Sequence, residues 1–153
     1  MKPRLDPVAT APALIKAMMD LEMAIQKSGL EHSLIHLVKI RASQINGCAV
    51  CLHMHTTDAR AAGESEARLY LLNAWRESLM YTARERAALA WTEALTLLSE
   101  THAPDDVYEG MAAEFSDAEQ VSLTLLVGAI NTWNRIAVGF RSVHPNDAAA
   151  AAA

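Results

Sequence analysis

"INGCAVCLHMH", residues 45–55, places Cys48 and Cys51, the only two cysteines of the chain, beside His53 and His55. The stretch decides the fold because it is a junction. Gly47 stops one apolar-periodic run, and another opens at about Cys48 and continues to Ala62, where Gly63 closes it. Read as a helix, with about 100° between successive residues, it puts Cys48, Cys51 and His55 on one stripe within roughly 60°. His53 then points to nearly the opposite side. His55 lies one turn from Cys51; His53 is out of reach of it.

The runs on either side are also helical. "TAPALIKAMMDLEMAIQKSG" offers Thr10 and Pro12 as cap and first turn, carries Leu14, Met18, Leu21 and Ile25 at helical spacing, and stops at Gly29. "EHSLIHLVKIRASQING" repeats the pattern with Ile35, Val38, Ala42 and Ile45. A short helix follows through "SEARLYLLNAW". "TARE" (Thr82, Glu85) and "SDAE" (Ser116, Glu119) are capping boxes that open two further helices, with Pro104 and Asp105 opening a short one between them. The last run, Val121 to Phe140, is apolar on most sides and is expected to be central and buried. No strand alternation interrupts this all-α reading. One domain is expected over residues 1–147, with a low-complexity tail of six alanines at 148–153.

Hydrophobic residues make up 52% of the 153-residue chain and charged residues 20%. That apolar content fits a helical domain that hides further surface against copies of itself. The seven methionines, among them Met18, Met19 and Met23, read as core or subunit interface rather than a cofactor box. Trp75 and Trp91 read as core. A net charge of −5 with interspersed signs excludes a nucleic-acid footprint. "MKPRLDPVAT" lacks the apolar run of a secretory signal, and Asn131, Asn134 and Arg135 break the last apolar stretch, so neither export nor a membrane span is expected. In the cytoplasm so implied, a close cysteine pair reads as catalytic or metal-binding before it reads as a staple.

Three chemistries fit the cysteine stripe. A structural zinc site needs four ligands, usually from two segments, and the stripe supplies three; no second cysteine pair exists, and His32, His36, His102 and His144 are scattered. A Cys-x-x-Cys pair at a helix start can close a disulfide without unwinding the chain. The helix N-terminus stabilises thiolate there, and a neighbouring histidine can accept its proton. The third reading is plain packing of two small apolar thiols.

Three segments carry a family resemblance: "KIRASQINGCAVCLHMHTTDARAAGE", "WRESLMYTARERAALAWTEALT" and "FSDAEQVSLTLLVGAINTWNRIAV". Together they resemble the AhpD-like branch of the carboxymuconolactone decarboxylase family, from about residue 12 to 140. The resemblance implies an all-α, AhpD-like helical bundle, assembled as a homo-oligomer, a hexamer or trimer. It implies a thiol-dependent alkylhydroperoxide reductase with no bound cofactor or metal. An external dithiol would re-reduce it, such as a lipoyl group or a thioredoxin-like protein. Carried over, Cys51 attacks the peroxide, Cys48 resolves, and His55 assists proton transfer. The branch has a relay glutamate twelve residues before the first cysteine, and here that position is His36. Glu31, about 140° away on the helix, is a poor substitute. His36 is therefore expected to carry part of the relay. The family segment holding Trp133, Asn134 and Arg135 reads as helix packing or interface. Two functions of different class follow: a turnover peroxidase, or a redox-sensing or scaffold protein whose pair oxidises without turnover.

Overall fold

The computed structural model describes residues 2–144, so the alanine tail and the expected domain end at 147 lie outside the described residues. Nine α-helices and one 3₁₀ segment make up its regular structure, and no strand occurs among the described residues. In order they are α1 (Pro7–Thr10), α2 (Pro12–Gln26), α3 (His32–Asn46), α4 (Ala49–Ala61), α5 (Glu66–Leu71), the 3₁₀ segment (Leu72–Glu77), α6 (Ala83–Thr96), α7 (Leu98–Thr101), α8 (Asp105–Ala112) and α9 (Asp117–Phe140).

α3 is the axis of the fold and packs on α4, α6 and α9. Its residues divide between two apolar clusters. Leu34, Ile35 and Val38 join Trp91, Met111, Phe115 and Leu126 on one side. Leu37 and Ile40 join Leu72, Trp75, Tyr81 and Leu89 on the other. A helix buried on two sides needs partners for its polar groups. Lys39 is buried and ion-paired with Glu22 of α2. Arg41 Nε donates to Glu93 Oε1 at 2.7 Å.

Glu93 anchors the second cluster. It also accepts the Trp75 indole N–H at 2.8 Å and an ion pair from Arg76. These contacts hold its carboxyl below the usual range although burial pushes it up. The Thr82/Glu85 box opens α6, with Thr82 N–H donating to Glu85 at 2.8 Å.

Three expectations change. Thr10 ends α1, whose cap is Asp6, and α2 starts from Ala11 without a side-chain cap. Leu14 is 71% exposed, because α2 turns Ile15, Met18, Leu21 and Ile25 inward instead. α9 is not buried all round: Leu123, Leu126, Val127, Ile130, Asn131 and Asn134 form its inner stripe, while Val121, Leu125 and Val138 face outward. By length and hydropathy α9 could cross a membrane, but here it packs along α2, α3 and α6.

Removing Glu93 strands the Arg41 guanidinium in the half-buried interior. Glu93→Ala should therefore cost about 3 kcal/mol of unfolding free energy in a urea titration. An unchanged midpoint would show that the α3–α6 seam does not depend on this carboxylate.

Candidate active site

The site is built at the corner between α3 and α4. Gly47 takes φ +64°, the left-handed conformation that closes α3 and that side-chain-bearing residues adopt at a cost. Cys48 N–H then donates to Ser43 O at 3.0 Å. Cys48 is the N-cap of α4, its sulfur accepting the Cys51 N–H at 3.4 Å. A residue type rarely used as a cap thus sits where orphan N–H groups and the helix dipole favour negative charge. Both cysteines are free thiols, 1% and 3% exposed, and His55 on the same stripe is 7% exposed. His53 lies away from them, its ring meeting His144 edge-on at 4.3 Å. A cavity of about 180 Å³ opens beside Cys48, walled by Ala49, Val50, Ala137 and Val138, with Arg141 and His144 among its other lining residues. Among the described residues no three of His, Cys, Asp and Glu converge as metal ligands.

The two thiols are electrostatically unequal. The neighbouring Cys51 side chain, more than any other group, pulls the Cys48 thiol down to about 7. Burial opposes the shift; the Cys51 and Val50 N–H groups and the Asn134 amide support it. Cys51 is pushed up, because its proton is held by Cys48, because it is buried, and because the Cys48 charge repels a second one. The cap position and the Cys51 N–H on its sulfur favour the resting charge on Cys48. His55 is pushed down to about 3 by burial first, then by Lys39 and His36. It is a neutral imidazole at any working pH, able to take or pass a proton but not to stabilise thiolate by charge.

His36 lies on α3 beside a second cavity, about 240 Å³, shared with His32, Ser33, Ala59, Ala62 and Glu64. Its Nδ1 is buried without a protein partner. Burial lowers its pKa, with Asp58 opposing. It lies close enough to His55 to act on that ring's charge. Glu31 is engaged by Arg84 at 2.8 Å and is not available to the site. Trp133 packs as expected, its indole donating to Glu22 at 3.1 Å. Asn134 does more than pack: it is buried, hydrogen-bonded to Ser43 and Asn46, and its side chain pushes both thiols down. Its signal in the sequence was a pair of carboxamides, Asn131 and Asn134, on the inner stripe of an otherwise apolar helix.

The family model described as carboxymuconolactone decarboxylase family matches residues 12–94. The chain is 42% identical over 128 residues to the uncharacterized protein YdfG of Bacillus subtilis (strain 168), covering 84% of this chain and 87% of that one. A crystal structure from Agrobacterium tumefaciens is 54% identical with a TM-score of 0.91, over 94% of this chain and 99% of that one. That protein is of unknown function and provisionally described as the antioxidant defence protein AhpD. The ligand-free debrominase Bmp8 is 18% identical with a TM-score of 0.78, over 90% of this chain and 74% of that one, a likeness of fold alone.

Two outcomes follow from the electrostatics. Iodoacetamide should label Cys48 ahead of Cys51, with a rate that rises through about pH 7; equal labelling of both would contradict the assignment of charge. Stability should also fall on mild acidification. His55 and His36 have folded values below the unfolded one, so the unfolded chain takes up protons first. Their contribution is complete above about pH 6.5 and is lost as pH falls toward the folded values. Urea titrations between about pH 6.5 and pH 4.5, above most carboxylates, should show this slope. His55→Gln should flatten most of it.

Proposed function

We propose, since the chain belongs to the carboxymuconolactone decarboxylase family and its AhpD-like branch, that it is a thiol-dependent reductase of organic hydroperoxides. The observation that carries the reading is the unbonded Cys48/Cys51 pair at the N-terminus of α4, with Cys48 beside a small, largely apolar-walled cavity. Such a cavity suits the alkyl part of a hydroperoxide.

The chemistry balances within the pair. The Cys48 thiolate attacks the terminal peroxide oxygen, the O–O bond breaks, and the alkoxide leaves as alcohol after taking a proton. Cys48 is then a sulfenic acid. Cys51 gives up its proton and attacks that sulfur, releasing water and closing the Cys48–Cys51 disulfide. A dithiol of the lipoyl or thioredoxin-like class returns both thiols and is itself oxidised to a disulfide. This order follows the sulfur that holds the resting charge, and it reverses the one the family resemblance implies. It also gives His55 a task. Once Cys48 is a sulfenic acid its charge no longer holds the Cys51 proton, and neutral His55, one turn on, relays that proton through its ring as the disulfide closes, without resting as an imidazolium. His36 passes the proton on toward the second cavity.

Exposed apolar side chains on α2 and α9, among them Leu14, Met19, Met23, Val121 and Leu125, support self-association into a trimer or hexamer. Light scattering at low micromolar concentration should give a mass several times the 16.6 kDa protomer.

Steady-state consumption of cumene hydroperoxide with dihydrolipoamide tests the function. Peroxide should abolish alkylation of both thiols without cross-linking protomers. Oxidation of the pair without turnover would instead favour a redox sensor. Cys51→Ser should still form a sulfenic acid and Cys48→Ser should not; the opposite pattern restores the order implied by the family. His36→Ala should slow the proton-dependent step by roughly 10²-fold and remove its dependence on pH below about 6.5, where the lowered His36 titrates. An unchanged rate and profile would leave His36 without a relay role.

A further inference from the structure

The carboxamides of α9 and α3 form a chain whose direction can be fixed atom by atom. Arg135 Nη1 donates to Asn131 Oδ1 at 3.0 Å, and Asn131 Nδ2 donates to the Val127 carbonyl at 2.9 Å. A guanidinium can only donate and a carbonyl can only accept, so the Asn131 amide has one possible orientation. Asn46 must then present Nδ2 to Asn131 Oδ1, which it does at 3.0 Å, and the same Nδ2 donates to Asn134 Oδ1 at 2.9 Å. The acceptor of Asn134 is thereby occupied. Its Nδ2 gives one N–H to Ser43 Oγ at 3.0 Å and has a second to offer, with both thiols within its influence. Ser43 is also the residue whose carbonyl holds the Cys48 N–H.

We propose that Asn134 is a positioning residue that sets the redox poise of the cysteine pair, its amide held donor-first toward Cys48 and Cys51 by the Arg135–Asn131–Asn46 chain. The inference rests on the pair being the working redox centre. A donor at that place stabilises thiolate and does nothing comparable for a disulfide. The same amide grips Ser43 and Asn46, the last turn of α3, so it fixes where Cys48 begins α4. The downward push of Asn134 on both thiols agrees with this geometry. The other charged or titratable groups around the pair are few. His55 is neutral, His36 is held low by burial, Lys39 is paired with Glu22, and Arg141 and His144 line the cavity.

The test does not need peroxide. Asn134→Ala and Asn134→Asp are compared with the parent chain by thiolate absorbance against pH, by iodoacetamide labelling, and by equilibration of the pair with a dithiol/disulfide buffer. Circular dichroism and thermal melts confirm folding. Both variants should need a higher pH to form thiolate, Asp more than Ala because its carboxylate also repels the charge. Labelling at pH 7 should fall about five- to tenfold. Measured at about pH 9, well above the parent Cys48 value, the dithiol equilibrium should move about tenfold toward disulfide, a potential about 30 mV more negative. Asn46→Ala leaves Asn134 in place but removes the donor that orients it, and it should shift both readouts the same way by less. It serves if neither Asn134 variant folds. Folded variants with unchanged thiolate pH and potential would overturn the proposal. A peroxidase failure of the parent chain with these shifts intact would instead count against the function alone.

Discussion

The corner at Gly47 is the constraint on which the rest depends. A left-handed residue there reverses the chain between α3 and α4, so that the sulfur of Cys48 takes the place usually held by a serine or aspartate oxygen. One backbone conformation thus produces a cap, a dipole-stabilised thiolate and a Cys-x-x-Cys pair on a single buried stripe. Adding a Cβ at Gly47 would meet no neighbour within 4 Å, so its cost would be conformational strain alone. That strain would fall on the turn that carries Cys48.

A thiol pulled down while buried to this degree needs a surrounding that tolerates charge. The fold meets that need with directed donors and a second sulfur that shares a proton. Lys39, which acts on His55, is held on Glu22. The histidine of the stripe is kept neutral by its apolar setting. The negative charge is therefore stabilised at close range by N–H and S–H groups, which act without the desolvation cost that an ion pair in the same place would carry. The same arrangement explains why the two thiols differ. They share one proton and one charge, and the cap position decides which sulfur holds the charge.

Much of the architecture was legible in periodicity and punctuation. Gly47 and Gly63 bracket α4, the Thr82/Glu85 box opens α6, and the Cys48–Cys51–His55 stripe follows from helical spacing. Where the structure differs, the differences share a cause. Leu14 has helical spacing with Met18 and Ile25 yet lies outside, because "ALIKAMM" is apolar on neighbouring positions and admits two faces. α9, apolar on most sides, reads as central and buried, because an apolar surface that packs looks the same in sequence whatever covers it. Asn134 was read as packing because a carboxamide carries no label for what it will face.

By itself the sequence determined the all-α bundle, the pairing of Cys48 with Cys51, and the distance of one helical turn to His55. These are properties of short spacings, fixed by 3.6 residues per turn and by where glycine stops a helix. Only the tertiary structure decided that both thiols are buried, that His55 stays neutral, and that Asn134 reaches the pair from 83 or more residues further along the chain. The physical reason is that burial, and the direction of a hydrogen bond between distant segments, exist only once α9 lies against the turn between α3 and α4.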